Sequence, residues 1–204
     1  MKYALDTKRR SPNKSSRGGM KPDIVVLHYT GPGTLEGVVS WLCNPKSKVS
    51  CHDIVGKPPA PGKPYIIPHI VPRAEAAWHA GTARLDVNRD GKITEDERRI
   101  NSRSFGVEIV NRGDGKDPWP DKQIRAVAWL IRGYRRRYGI NIENVVDHEY
   151  VNLLGKVDLK SDFPAAKLMF YVRYGTWVPR PVGAFWCRLS PAYRRAARRI
   201  KYGR

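Results

Sequence analysis

Three short runs of β-branched and aliphatic residues constrain this chain most. They are residues 23–29 (DIVVLHY), 104–111 (SFGVEIVN) and 144–147 (NVVD). Each is too short for a stable helix and reads as a buried strand. Helical patterns lie between them. Residues 34–42 (TLEGVVSWL) have helical spacing, with Thr34 as an N-cap. Residues 121–138 form the strongest helix: Ile124, Val127, Ala128, Ile131, Tyr134 and Tyr138 keep to one face, and Gly139 stops it. Residues 49–55 and 65–71 read as two further strands joined across the proline-rich stretch 57–64, a hairpin with a long loop. Strands alternating with helices predict an α/β fold, a central mixed β-sheet flanked by helices. No internal repeat is present.

With 204 residues the chain is long enough for one domain with a sizeable core. Mean hydropathy is −0.55, and no apolar run approaches the roughly 20 residues of a membrane span. No apolar stretch follows the basic N-terminal residues, so no secretory signal is expected. Three cysteines (Cys43, Cys51, Cys187) cannot build a disulfide framework, so reduced thiols and synthesis in the cytosol are expected.

The net charge of +19 is unevenly placed. Residues 1–22 carry seven Lys/Arg and one Asp, and residues 163–204 carry ten Lys/Arg and no acid. A near-neutral body thus has two cationic ends, which favour polyanionic surfaces. No zinc-finger spacing, aromatic RNA-binding strand or helix-turn-helix pattern accompanies the charge, so specific nucleic-acid binding is not expected. The expected organisation is a flexible basic arm at 1–22, a catalytic domain at 23–168, and a basic extension at 169–204. In that extension, residues 189–204 form a cationic amphipathic helix opened by Ser190 and Pro191.

Two of the five histidines, His28 and His148, close apolar strands, where a scaffold presents ligands to a cleft. The segment GKVD beyond His148 supplies Lys156 and Asp158, with Asp162 as a rival carboxylate. Two imidazoles and one carboxylate suit a catalytic zinc, because three protein ligands leave a fourth position for water. Glu108 sits inside the apolar run FGVEIV, which favours a functional carboxylate.

The segments IVVLHYTG, VSCHDIV, AAWHAG, NSRSFGVEIVN and VVDHEYVNLLGKVD occur in this order. Together they resemble the zinc-dependent N-acetylmuramoyl-L-alanine amidases, the type-2 family that includes phage endolysins and peptidoglycan recognition proteins. The resemblance covers roughly residues 23–168. It implies zinc ligands His28, His148 and Asp158, catalytic residues Glu108 and Lys156, and a substrate cleft with His52, Trp78 and His79. Many members carry Asp-Pro-Gly where this chain has Asp158-Leu159-Lys160. The activity implied is hydrolysis of the amide between N-acetylmuramic acid and L-alanine, in a phage endolysin. The alternatives are a cytosolic muropeptide-recycling amidase and a non-catalytic peptidoglycan-binding module. The expected partners are peptidoglycan and, through the basic ends, an anionic wall or outer-membrane surface. A monomer made in the host cytoplasm and acting on the wall after release is expected.

Residues 86–97 (DVNRDGKITEDE) match the EF-hand loop pattern at Asp86, Asn88, Asp90, Gly91 and Glu97, with Lys92 contributing a backbone carbonyl. This spacing predicts a structural Ca²⁺ loop inserted at the cleft rim.

Overall fold

In a computed structural model the described residues are 2–85, 90–92, 94–152, 158–159 and 161–175. The elements in chain order are β1 (Tyr3–Asp6), β2 (Lys14–Ser16), β3 (Ile24–Tyr29), α1 (Leu35–Leu42), β4 (Asp53–Val55), β5 (Tyr65–Pro68), β6 (Glu75–Ala77), α2 (Ile100–Arg103), β7 (Ser104–Ile109), α3 (Asp121–Tyr138), β8 (Val145–Asp147), α4 (His148–Val151) and α5 (Ala165–Tyr174).

The central sheet has the order β4-β7-β3-β8. Its three pairings are all parallel, which corrects the expectation of a mixed sheet. Helix-containing crossovers return the chain to the same end before each new strand. The antiparallel pairing lies outside this sheet, in β2 with β6. The expected 49–71 hairpin is also corrected. β4 joins the central sheet and β5 pairs in parallel with β1, leaving a single antiparallel bridge between Asp53 and His69.

Alternation along the strands divides the core. Val25, Leu27, Phe105, Val107 and Ile109 face α3 and α5, meeting Ile124, Val127, Ile131, Leu168 and Val172 in one cluster. Ile24, Val26 and Val146 meet Ile100 and Leu85 in a second cluster. Buried residues on both sides explain why β3 is continuously apolar up to His28. α3 is pinned to the sheet by polar contacts as well. Gln123 Nε2 donates to the carbonyls of Val110 and Val55, and the Tyr134 hydroxyl donates to the fully buried Asp53 carboxylate, which also contacts His69 Nδ1 at 2.8 Å. Thr34 caps α1 by accepting from the Gly37 amide, and Gly139 ends α3 in the left-handed conformation, φ 70°.

Residues 2–22 are not a flexible arm. β1 and β2 each pair with a strand of the body, and Ser11, Asn13 and Arg17 are buried. The Arg17 guanidinium donates to the carbonyls of Arg73, Ser102 and Ser104 and lies 4.9 Å from the Phe105 ring centroid. The abundance of Lys, Arg, Ser and Gly suggested mobility, but these residues satisfy backbone groups along an edge of the body. The expected domain boundary at 168 falls inside α5, which packs on α3 and belongs to the core. The expected helix at 189–204 lies outside the described residues. No helix among the described residues is long and apolar enough to cross a membrane.

Candidate active site

The sheet register assembles the site. Leu27 pairs with Asp147 across β3 and β8, so His28 on β3 and His148, the residue directly after β8, stand side by side with ring centroids 4.7 Å apart. On the other side of β3, His28 pairs with Glu108 of β7. Three adjacent strand ends therefore deliver two imidazoles and a carboxylate to one point. α4 begins at His148, capped by the Asp147 side chain, which accepts from the Tyr150 amide at 2.8 Å.

Asp158 completes the group. Its Oδ2 lies 2.9 Å from His148 Nδ1 and 3.3 Å from His28 Nδ1, and its Oδ1 accepts from the Tyr29 amide. All three side chains are buried, and their ligand atoms lie within 4.8 Å of one another. Burial alone would raise the Asp158 carboxyl. The hydrogen bonds from His148 and His28 more than offset this and hold it below the usual carboxylate range. Leu159, the next residue, takes the left-handed conformation (φ 52°) with its side chain in the core. The rival Asp162 is exposed and accepts from Trp119 Nε1 at 2.9 Å, away from the cluster.

The outer nitrogens of both imidazoles are engaged. His148 Nε2 lies 3.3 Å from the Ala80 carbonyl and 3.4 Å from Asn152 Nδ2, and the tautomer with N–H at Nε2 donates to the carbonyl and leaves Nδ1 available to a metal. His28 Nε2 lies 3.0 Å from His79 Nδ1, and His79 Nε2 lies 2.9 Å from Ser104 Oγ, whose hydroxyl donates to the Ile100 carbonyl. That chain runs in one direction if His28 Nε2–H donates to His79 and His79 Nε2–H donates to Ser104. Burial, then the adjoining His28, His52 and His148, push His79 well below the usual histidine range, so it is neutral and fits this role. Two Nδ1 atoms and an ionised carboxylate thus converge on one point. Without a metal these contacts are hydrogen bonds that need a proton at Nδ1; with that proton released, two imidazole lone pairs and the carboxylate form a donor set that fits Zn²⁺.

Gly106 makes the arrangement sterically open. A Cβ there would lie 2.5 Å from His79 Cγ, so the ring rests directly on the β7 backbone. The sequence offered no signal for this glycine beyond its place two residues before Glu108.

The group opens into a cleft of about 640 Å³ lined by His28, Glu108, His148, Asp158, Trp78 and His79. Trp41 and Val38 of α1 also line it, and Trp41 is 56% exposed. They were not singled out from the sequence, where the exposed aromatic on an amphipathic helix was the available signal. His52 corrects the expectation of a substrate contact. It is fully buried, accepts from the Gly106 amide at Nδ1, and meets Arg17 and the Glu75 carbonyl at Nε2. Lys156 lies outside the described residues, as do Asp86 and Asn88 of the acidic loop. Of that loop, Asp90 accepts from the Lys92 amide, Gly91 has φ 81°, and buried Glu97 accepts from the Thr94 amide and hydroxyl. Cys43 and Cys51 are free thiols.

A parallel sheet that presents two histidines and a glutamate at its strand ends, with an aspartate from the segment after α4 completing the group in an open cleft, has the arrangement of a mononuclear metallohydrolase centre. Residues 18–162 match the N-acetylmuramoyl-L-alanine amidase family (Amidase_2), and the chain belongs to that family, which is zinc-dependent. The chain is 31% identical over 175 residues to the amidase AmiD of Escherichia coli strain K12, covering 81% of this chain and 57% of AmiD. The fold is similar to that of E. coli AmiD in complex with anhydro-N-acetylmuramic acid-L-Ala-D-γ-Glu-L-Lys, with a TM-score of 0.60, covering 80% of this chain and 61% of that one. It is also similar to AmpDh3 of Pseudomonas aeruginosa in complex with an anhydromuramic pentapeptide. There the identity is 26% and the TM-score 0.56, over 80% of this chain and 63% of that one. The chain thus spans less than two thirds of the length of these relatives.

Proposed function

We propose that this chain is a zinc-dependent amidase that hydrolyses the bond between the lactyl group of N-acetylmuramic acid and L-alanine of peptidoglycan. The observation that carries this is the convergence of His28, His148 and Asp158 beside Glu108 in an open cleft. Bound there, Zn²⁺ would polarise the amide carbonyl and lower the pKa of water toward about 7. His28 and His148 hold their Nδ1 lone pairs inward through their outer hydrogen bonds. Glu108 takes the proton from the attacking water as its oxygen bonds to the carbonyl carbon, then passes it to the alanine nitrogen as the C–N bond breaks. Lys156 is assigned to the developing oxyanion. Trp78 and Trp41 form cleft walls on which a muramoyl sugar can stack.

The test is hydrolysis of a purified muropeptide containing N-acetylmuramoyl-L-alanine. A new α-amino group on alanine, lost with chelator and restored with Zn²⁺, is the expected result. Cleavage at another bond, or none with zinc bound, contradicts the assignment.

Within this activity we favour wall lysis as the setting, in an endolysin acting as a monomer on peptidoglycan. The excess of +19 supports it, since a recycling enzyme for soluble muropeptides has no use for that charge. We also propose that residues 86–97 hold Ca²⁺, on the strength of the sequence spacing and the left-handed Gly91.

A further inference from the structure

Behind the sheet, away from the zinc ligands, a cavity of about 960 Å³ lies between β1, α3 and the end of α5. Among the described residues its lining includes Arg73, Arg125, Arg132, Arg136 and Arg137 and no acidic residue. Arg125 is paired with Asp121 at 2.7 Å. Arg132, Arg136 and Arg137 are exposed and have no acidic partner among the described residues. Arg73 Nε is buried there without a hydrogen-bond partner. One exposed aromatic platform adjoins them: Trp129, 38% exposed, stacks on Tyr3 with centroids 5.3 Å apart and planes at 25°, whereas the other lining tyrosines, Tyr134, Tyr138 and Tyr171, are buried or half-buried.

Such a concentration of guanidinium groups around a concavity is a site for an anion, because their planar forks match phosphate oxygens. The neutralising charge does not come from the chain's own C-terminal segment. Gly175 lines the cavity, and residues 176–204 beyond it carry eight Lys/Arg and no Asp or Glu. An anionic partner would supply the negative charge, displacing solvent counterions from the exposed arginines. Tyr3 covers one face of Trp129, leaving a platform for a single ring. Single-stranded nucleic acid is tracked by a succession of stacking aromatics, whereas one platform flanked by arginines suits a sugar carrying phosphate.

We propose that this cavity binds a phosphate-substituted saccharide of the bacterial envelope and anchors the enzyme while the zinc cleft works on peptidoglycan. The choice of an envelope saccharide rests on the amidase reading, but binding is measured without turnover, so the two can fail separately. The full chain is titrated with lipopolysaccharide, with wall teichoic acid, with each after removal of phosphate, and with a thymidine oligonucleotide. The R132Q/R136Q/R137Q triple variant and the W129A variant are measured alongside. All share residues 176–204, so any contribution of that segment cancels.

The expected result is binding to at least one phosphorylated saccharide that falls tenfold or more on dephosphorylation and tenfold or more in the triple variant. Binding should weaken as salt rises and fall in W129A. Melting temperatures and cleavage of a soluble muropeptide should stay near wild type in both variants. Which of the two polymers binds distinguishes the source of the phosphate. Unchanged affinity in both variants, equal affinity for the dephosphorylated polymers, or tighter binding of the oligonucleotide would each overturn the proposal.

Discussion

At the scale of single residues, the proposed zinc ligands depend on atoms outside their own set. His79 receives the outer edge of His28 and rests on Gly106, where a Cβ would overlap its ring. Gly106→Ala should therefore displace His79 and free His28 to rotate. Loss of an outer hydrogen-bond partner typically lowers metal affinity about 10–100-fold. Chelator competition should show a fall of that order in Gly106→Ala and in His79→Phe, and wild-type affinity in both would remove His79 from the positioning role. His52 tests burial instead. Burial, then the Arg17 charge, hold it neutral, with its pKa well below the ordinary histidine value. Its unfolded form titrates near 6.5, so its contribution is complete above that pH and is lost as pH falls below it. Between pH 7 and 5.5 this one group should remove on the order of 1 kcal/mol of stability. Urea unfolding of metal-free protein should show a flatter acid dependence in His52→Gln than in wild type, and equal slopes would contradict the assignment. His28, His148 and Asp158 were legible because strand ends and a Lys-x-Asp segment mark them in one dimension. Gly106 and the burial of His52 were not, since both depend on which side chain crosses from another element.

At the scale of elements, α3 was legible to the residue, because six apolar positions and a terminal glycine all specify the same helix. The N-terminal strands were not. β1 and β2 are four and three residues long, and their stability comes from pairing with β5 and β6 about sixty residues away in the chain order. Composition there signals solubility, while Arg17 acts as a buried bracket on three carbonyls. Burial lowers its pKa to about 10, so it still carries charge at neutral pH. Arg17→Ala leaves those carbonyls in the interior with fewer donors and should cost about 3 kcal/mol or more. Chemical denaturation would show it, and a change under 1 kcal/mol would mean that these strands are dispensable. The acidic loop 86–97 has a separate test. Calcium at a hundredfold excess over Kd should add about 2.7 kcal/mol to the native state, and Glu97→Ala should abolish the rise. No heat of binding at millimolar calcium would refute the loop's assignment.

At the scale of the whole molecule, parallel strands bring His28, Glu108 and His148 to one edge, and the family match and the metal geometry meet in the same residues. The central claim is a division of labour: three residues hold the metal and Glu108 moves the proton. It is tested most directly by measuring zinc stoichiometry and muropeptide hydrolysis on the same preparations of wild type, His148→Ala and Glu108→Gln. Wild type should carry one zinc per chain, His148→Ala should lose both metal and activity, and Glu108→Gln should retain zinc with a rate slower by ~10²-fold or more. Hydrolysis at the wild-type rate by zinc-loaded Glu108→Gln, or full zinc retention in His148→Ala, would contradict that division.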